Sequence, residues 1–316
     1  MRCVARYASP RSLAAFLLGS LLAFGLSMTG LPALAHDVAV LQSADIAAYN
    51  QAITGLRAEL SASTSVTEYD MQGDVARGRK LARKIRASET SLVVAVGLKA
   101  ALVAKLEIVD VPVLYCMVLD PEKYDLRAAN MTGIGLQIPF ERQLLAMRAI
   151  LPRVKQIGVV YDPEKTGPLV EEARRVSKGS DLELVERQVS SEKEVPSAVR
   201  SLIGKIDVLW LMPDSTILTE ESLRFVLSTA LDRTVPVIGF SSEFVRNGAL
   251  IGLSVNPEDI GRQAGAMAKK ILSGRGAISP AIVPPERVRL AVSLKAAKFL
   301  GVTVPPDVIS RADEVF

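Results

Sequence analysis

Short apolar runs alternate with amphipathic stretches along this chain. Val38-Ala39-Val40-Leu41 reads as a strand. Asp45 to Leu60 reads as a helix, because Ile46, Tyr49, Ile53, Leu56 and Leu60 recur at three- and four-residue spacing. Ser65 to Tyr69 predicts a strand, and Asp74 to Arg86 a helix with Asp74 as N-cap. Leu92 to Val96 is a buried-type strand ended by Gly97, Lys99 to Glu107 a helix, and Val111 to Val118 a strand. Continuous apolar strands separated by helices predict a parallel sheet covered on both faces.

The pattern then restarts. Met131 to Gln137 predicts a short strand crossing between two lobes. Helices are expected at Pro139–Leu151, Pro168–Lys178, Val195–Ile203, Glu220–Leu231, Ser242–Arg246 and Pro257–Leu272. The strands between them are Gln156–Tyr161, Leu182–Val189, Val208–Met212, Val235–Gly239 and Ala249–Ser254. Val288 to Val292 reads as a last crossing strand and Ser293 to Leu300 as a last helix. The expected fold class is α/β: two doubly wound parallel-sheet lobes joined by a multi-crossing hinge. The first lobe spans residues 36–130, the second 131–254, and residues 255–316 return partly onto the first. The cleft lies between the lobes at the carboxyl ends of the strands, and closure is a hinge motion.

The first 35 residues change the picture. Arg2, Arg6 and Arg11 precede an apolar run from Leu13 to Leu26, and Ala33 and Ala35 bracket a cleavage position. This is the pattern of a secretory signal peptide, and it predicts a mature chain of 281 residues from His36 that works in the periplasm. No Cys stands at the cleavage position, so no lipid attachment is expected there. An uncleaved membrane anchor is the alternative reading, and the apolar run is short for it. Removing three of the 38 basic residues leaves 35 against 34 acidic ones. A nearly neutral chain offers no electrostatic case for nucleic acid. Of the two cysteines, only Cys116 lies outside the leader. It sits in an apolar run, which favours a buried strand thiol over a reactive one.

Much chemistry is missing. The single histidine, His36, excludes a His-Glu-x-x-His zinc site and a triad built on a core histidine. No G-x-S-x-G or Walker loop occurs, and Gly133 and Gly135 lack the third glycine of a dinucleotide fingerprint. No cofactor or metal is expected. The basic run Arg77, Arg79, Lys80, Arg83, Lys84, Arg86 alternates with Val75, Leu81, Ala82 and Ile85 on one face, which reads as a solvated outer helix face rather than an anion site.

From Val111 onward the chain resembles the ABC transporter substrate-binding family that includes tryptophan- and phenylalanine-binding proteins. The carrying segments are Pro112-Val113, Asp120-Pro121, Asn130 to Ile134, Leu151 to Tyr161, Asp207 to Trp210, Pro213-Asp214, Val235 to Ile238, Asn247 to Leu250, Asp259 to Gly265, Ile271 to Gly274 and Lys295 to Gly301. Each is weak alone, but their order agrees over roughly two-thirds of the chain. The resemblance implies the type I periplasmic-binding-protein fold. It also implies a monomeric, non-enzymatic solute-binding component that passes a small ligand, such as an amino acid, to a membrane ABC permease. The first lobe departs from the family. Gln42-Ser43-Ala44-Asp45 replaces a His-Pro-x-Leu-Asp-like segment, and Gly97-Leu98-Lys99-Ala100 replaces a Ser/Thr-rich turn. That second change removes hydroxyls that would help a helix N-terminus hold a carboxylate. It motivates an alternative, a sensory or partner-binding protein of the same fold. An enzyme on this scaffold is a third reading, which fold alone does not reject.

Cleft residues are expected just past strand ends. In the first lobe these are Ser43, Ala44, Gly97, Leu98 and Lys99. In the second they are Tyr161, Asp162, Thr166, Asp214, Ser215, Thr216, Phe240 and Ser241, with Ser242 beside them. Asp214 matches the family's acidic position, which resembles an anchor for a ligand ammonium, and reads equally as a helix cap. Tyr161 and Phe240 read as stacking surfaces or as hinge packing. Thr166 and Ser241 could cap helices and contact ligand together.

Overall fold

The computed structural model describes residues 36–276 and 281–316; the leader expected over residues 1–35 lies outside them. The first half runs β1 (His36–Gln42), α1 (Ala47–Glu59), β2 (Thr64–Asp70), α2 (Val75–Arg86), β3 (Leu92–Val96), α3 (Leu98–Glu107), β4 (Val113–Val118) and β5 (Met131–Gly135). The second runs α4 (Phe140–Ile150), β6 (Gln156–Tyr161), α5 (Pro163–Gly179), β7 (Glu183–Gln188), α6 (Val195–Leu202), β8 (Val208–Trp210), α7 (Glu220–Asp232), β9 (Val237–Gly239), α8 (Ser242–Arg246) and β10 (Ile251–Ser254). The chain ends with α9 (Pro257–Leu272), β11 (Ile282–Val283), β12 (Arg289–Val292), α10 (Leu294–Leu300), α11 (Pro306–Arg311) and β13 (Glu314–Val315).

Two sheets result. The first has the order β11-β5-β4-β3-β1-β2, with every pairing parallel. The second has the order β13-β12-β10-β9-β8-β6-β7 and is parallel except where β12 runs antiparallel to β10. The continuous apolar strands follow from helices on both faces. Along β1, Ala39 and Leu41 enter one core while Val38 and Val40 enter the other. The edge strands β2 (TSVTEYD) and β7 (ELVERQ) are instead polar and partly exposed, which discourages pairing with a further strand.

Three expectations need correction. Met131–Gly135 is not a crossing strand: it is β5 of the first sheet, paired with β4 and β11, and the chain leaves only at 136–139. Val288–Val292 is not a crossing strand either: β12 lies in the second sheet, paired with β10 and β13, so that within the tail α9 and β11 join the first lobe and β12 to β13 complete the second sheet. Helix α5 begins at Pro163 rather than Pro168, because Asp162 caps it by accepting the Glu164 N–H (3.0 Å) and Pro163 suits the first turn. Pro168 sits inside it. Short β11 and β13 lack enough residues to show a period, so the pattern does not reveal them.

The chain therefore passes between the sheets at 136–139, 255–256 and 284–288. Helix α9 is fastened to the first lobe by close backbone approach to α1. A Cβ on Gly261 would stand 1.9 Å from the Ala52 carbonyl oxygen, and one on Gly55 would stand 2.1 Å from that of Glu258. Glycine is required at both places. Replacing Gly261 with Ala forces the helices apart at a cost of about 1–3 kcal/mol. At roughly 2–4 °C per kcal/mol, calorimetry should show the melting temperature of Gly261→Ala reduced by several degrees.

Candidate functional site

The site begins where parallel strands of the first sheet stop. Gly97 follows β3 with φ +89° and is the N-cap position of α3. A side chain there would collide with the Tyr49 ring and hydroxyl, both 2.6 Å from its Cβ, and with Ser43 Oγ at 2.7 Å. Glycine thus lets three elements converge: the β1–α1 turn, the first turn of α1, and the start of α3. Ser43 is buried, and its Oγ accepts the Ala100 N–H at 2.9 Å. The hydroxyl that the Leu98-Lys99 turn lacks is therefore supplied from a different loop. The first amides of α3, those of Leu98 and Lys99, have no intrahelical partner. Lys99 does not turn inward: its Nζ donates to the Gly73 carbonyl at 2.7 Å. Burial, with Cys116 as a smaller contributor, raises the Tyr49 phenol above its ordinary value, so its hydroxyl stays neutral.

Tyr49 and Leu98 belong to the wall of a cavity of about 570 Å³ between the lobes. The second lobe contributes Lys165, Thr166, Leu169, Glu172 and Pro213, and the passages contribute Gln137, Pro139 and Pro284. The rest of the first-lobe wall is the segment after β4. Met117 takes φ +59° where the β4–β5 register shifts between Tyr115 and Val118. This irregularity brings Met117 into the cavity wall. Beyond it Leu119 and Tyr124 are 58% and 39% exposed, unusually open for large apolar side chains. The wall is mixed in charge: Asp120, Glu122, Glu141 and Glu172 face Lys123 and Lys165. Glu122 is paired with Arg127 at 2.7 Å. Such a cavity suits a small zwitterion with an apolar body.

Of the expected site residues, Leu98 and Thr166 line this cavity. Ser43 and Gly97 lie directly behind Tyr49, and Ala44 follows Ser43 half-buried. The second-lobe group is occupied with itself. Asp214 is fully buried; its Oδ2 accepts the Asp162 N–H (2.8 Å) and the Thr166 hydroxyl (2.5 Å), and its Oδ1 accepts the Thr216 N–H (2.9 Å). Thr216 donates its own hydroxyl to Asp162 Oδ2 at 2.8 Å. Asp214 caps neither neighbouring helix, since Asp162 caps α5 and Thr219 caps α7; its carboxylate ties the β6–α5 and β8–α7 loops together. Ser215 is exposed beside it. Tyr161 is buried, its hydroxyl donating to Glu186 (3.1 Å) and accepting from Gln188 (3.0 Å), which is packing rather than stacking. Phe240 packs edge-on against Phe244 with centroids 4.7 Å apart, and Ser241 is the N-cap residue of α8 without a side-chain bond. Neither is among the lining residues.

Sequence reasoning missed Tyr49, Met117 and the 119–124 wall. The expected residues follow β1, β3, β6, β8 and β9, whereas the wall follows β4, another strand end of the same sheet. Tyr49 carried no separate signal, since its spacing already accounted for it as a core position.

Cys116 is buried, and burial pushes its thiol up to about 12. It therefore stays protonated at neutral and mildly alkaline pH and cannot act as a nucleophile. Among the described residues no group of three or more His, Cys, Asp or Glu is placed to hold a metal ion.

The two lobes, their three connections and the cavity between strand ends define a type I periplasmic-binding-protein fold. Residues 37–316 match the ABC transporter substrate binding protein family, and the chain belongs to that family. A tyrosine-binding protein of Clostridioides difficile is 27% identical over 212 residues, covering 65% of this chain but only 61% of that relative's length. The ligand-free, open structure of a substrate-binding protein with adhesive properties from Clostridium difficile superposes with a TM-score of 0.75 at 23% identity, covering 89% of this chain and 99% of that one. A structure from Streptococcus pneumonia in complex with L-Trp gives 0.58 at 23% identity and the same coverage.

Two outcomes test these assignments. Asp214→Ala removes the shared acceptor of the buried Asp162 N–H and Thr166 hydroxyl and of the half-buried Thr216 N–H, so denaturant unfolding should show a loss of about 2–4 kcal/mol with the affinity of the folded fraction unchanged; lost affinity at full stability would point to an ammonium anchor. Thiol labelling at pH 8 with peptide mapping should find Cys116 unmodified in the folded protein and fully modified in denaturant.

Proposed function

We propose that this protein is the exported solute-binding component of an ABC uptake system and holds an amino acid with a large apolar or aromatic side chain between its lobes. The observation that carries the proposal is the composition of the interlobe cavity. The uncapped amides of α3 with the Tyr49 hydroxyl suit a carboxylate. Met117, Leu119, Tyr124 and Leu169 offer an apolar surface. Glu141 and Glu172, rather than the saturated Asp214, supply negative charge for an ammonium group. The tyrosine-binding relative and the L-Trp complex support the same ligand class.

The leader pattern at residues 1–35 supports export and work in the periplasm. Delivery to a membrane permease follows from the family, and the protein acts as a monomer that binds without turning its ligand over. Leu98, an apolar side chain in the cavity wall, selects against small polar ligands.

Titration calorimetry with the standard amino acids should give micromolar or tighter binding for one or more of tyrosine, tryptophan, phenylalanine and leucine. At a hundredfold excess over Kd, binding adds about 2.7 kcal/mol of stability, visible as a raised melting temperature. Leu98→Asp, which places a carboxylate beside the ligand's own, should abolish binding while the apo melting temperature holds. Binding that persists in Leu98→Asp would remove the first-lobe subsite. No response to any amino acid would overturn the ligand class and favour a sensory or partner-binding role.

A further inference from the structure

The motif Asp259 to Gly265 touches no part of the cavity, although it is among the segments most like the family. Its glycines face α1, where Gly261 permits the backbone contact described above and a Cβ on Gly265 would stand 2.8 Å from the Leu56 carbonyl oxygen. Asp259 and Gln263 face the third passage between the lobes, while Arg262 pairs with Glu258 and Glu59. Gln263 is only 6% exposed, yet its amide is used twice. Nε2 donates to the Pro284 carbonyl at 2.9 Å, and Oε1 accepts the Glu286 N–H at 3.0 Å. One side chain thus clips both sides of Pro285.

Asp259 lies one turn earlier on α9, with a side chain 9% exposed. Its Oδ2 accepts from Arg289 at 3.0 Å and lies 3.6 Å from Arg287. Arg287 continues to Asp313 at 3.1 Å, and Asp313 accepts the Leu290 N–H at 2.9 Å. Because Arg289 opens β12, this chain of charges spans from the first lobe's α9 to the second lobe's sheet. From the other side, Arg142 on α4 donates to the carbonyls of Pro285 (2.8 Å) and Glu286 (3.1 Å). The passage is held by both lobes at once, and Pro284 at its start is also part of the cavity wall.

The opposite end of the same assembly reaches the ligand site. Helix α1, fused to α9 by backbone contact, carries Tyr49 in the cavity wall. We infer that Asp259 and Gln263 are positioning residues for lobe closure, which set the geometry of the third passage and so control ligand affinity without touching the ligand. This rests on the solute-binding reading above. In physical terms, the clip restricts how the lobes can be oriented. Losing it spreads the ligand-free protein over more orientations, and apparent affinity falls with the fraction competent to close.

The test uses Gln263→Leu, which keeps bulk and removes both clip bonds, and Asp259→Asn with Asp259→Glu as its conservative counterpart. Small-angle scattering of the ligand-free protein reports lobe separation. L-tyrosine and L-tryptophan, titrated by stopped flow, report association and dissociation separately. Gln263→Leu and Asp259→Asn should enlarge the ligand-free radius of gyration and weaken Kd by about tenfold, chiefly through slower association, with Asp259→Glu recovering most of both. If Gln263→Leu fails to fold, the Asp259 pair decides alone. Scattering and Kd both indistinguishable from the parent would overturn the inference, as would weakened binding without a change in ligand-free scattering. If the parent binds neither amino acid, the ligand class falls, and ligand-free scattering still decides the hinge: an enlarged radius in the variants upholds it and an unchanged one overturns it.

Discussion

The contact between α1 and α9 is the constraint on which the rest of the molecule depends. The chain completes the parallel part of its second sheet at β10 and then sends one helix back to the first lobe. That return is secured where two helix backbones meet at glycine, with no side chain between them. Without it α9 would have no fixed seat, β11 would not reach the edge of the first sheet, and the third passage would have no origin. The two-lobed form is thus held by packing of the chain's last quarter onto its first, and the cleft is a by-product of that fastening.

The lobes spend their polar groups differently. In the second lobe, Asp162, Thr166, Asp214 and Thr216 satisfy one another, and a ligand would find few open valences there. This follows from buried carboxylates needing several donors to be tolerated. In the first lobe, helix α3 starts on a glycine without a side-chain cap of its own. The cavity wall accordingly takes Tyr49, Leu98 and the segment after β4 from the first lobe, and Glu141, Lys165, Leu169, Glu172 and Pro213 from the second, with the Asp214 network behind them.

Much of this was legible in the chain. Continuous apolar runs such as Leu92–Val96 announced buried parallel strands, and the restart after Val118 announced two lobes. The family-like segments added the fold, because independent pieces fell in the right order. What stayed hidden was whatever depends on a partner distant in sequence. Met131–Gly135 looked like a connector because it is short and glycine-bearing; its place in a sheet is decided by β4 and β11, the latter some 150 residues away. Asp214 reads equally as an anchor or a cap because its partners at 162 and 166 are invisible to local reading, and the bond from Ala100 to Ser43 spans 57 positions.

That borrowed bond has a consequence for how such a protein can diversify. Because the hydroxyl securing the start of α3 is carried by another loop, positions 98 and 99 are relieved of keeping their own helix in order. Drift at position 98, the one of the two that lines the cavity, can reshape that wall while the start of α3 keeps its bond to Ser43.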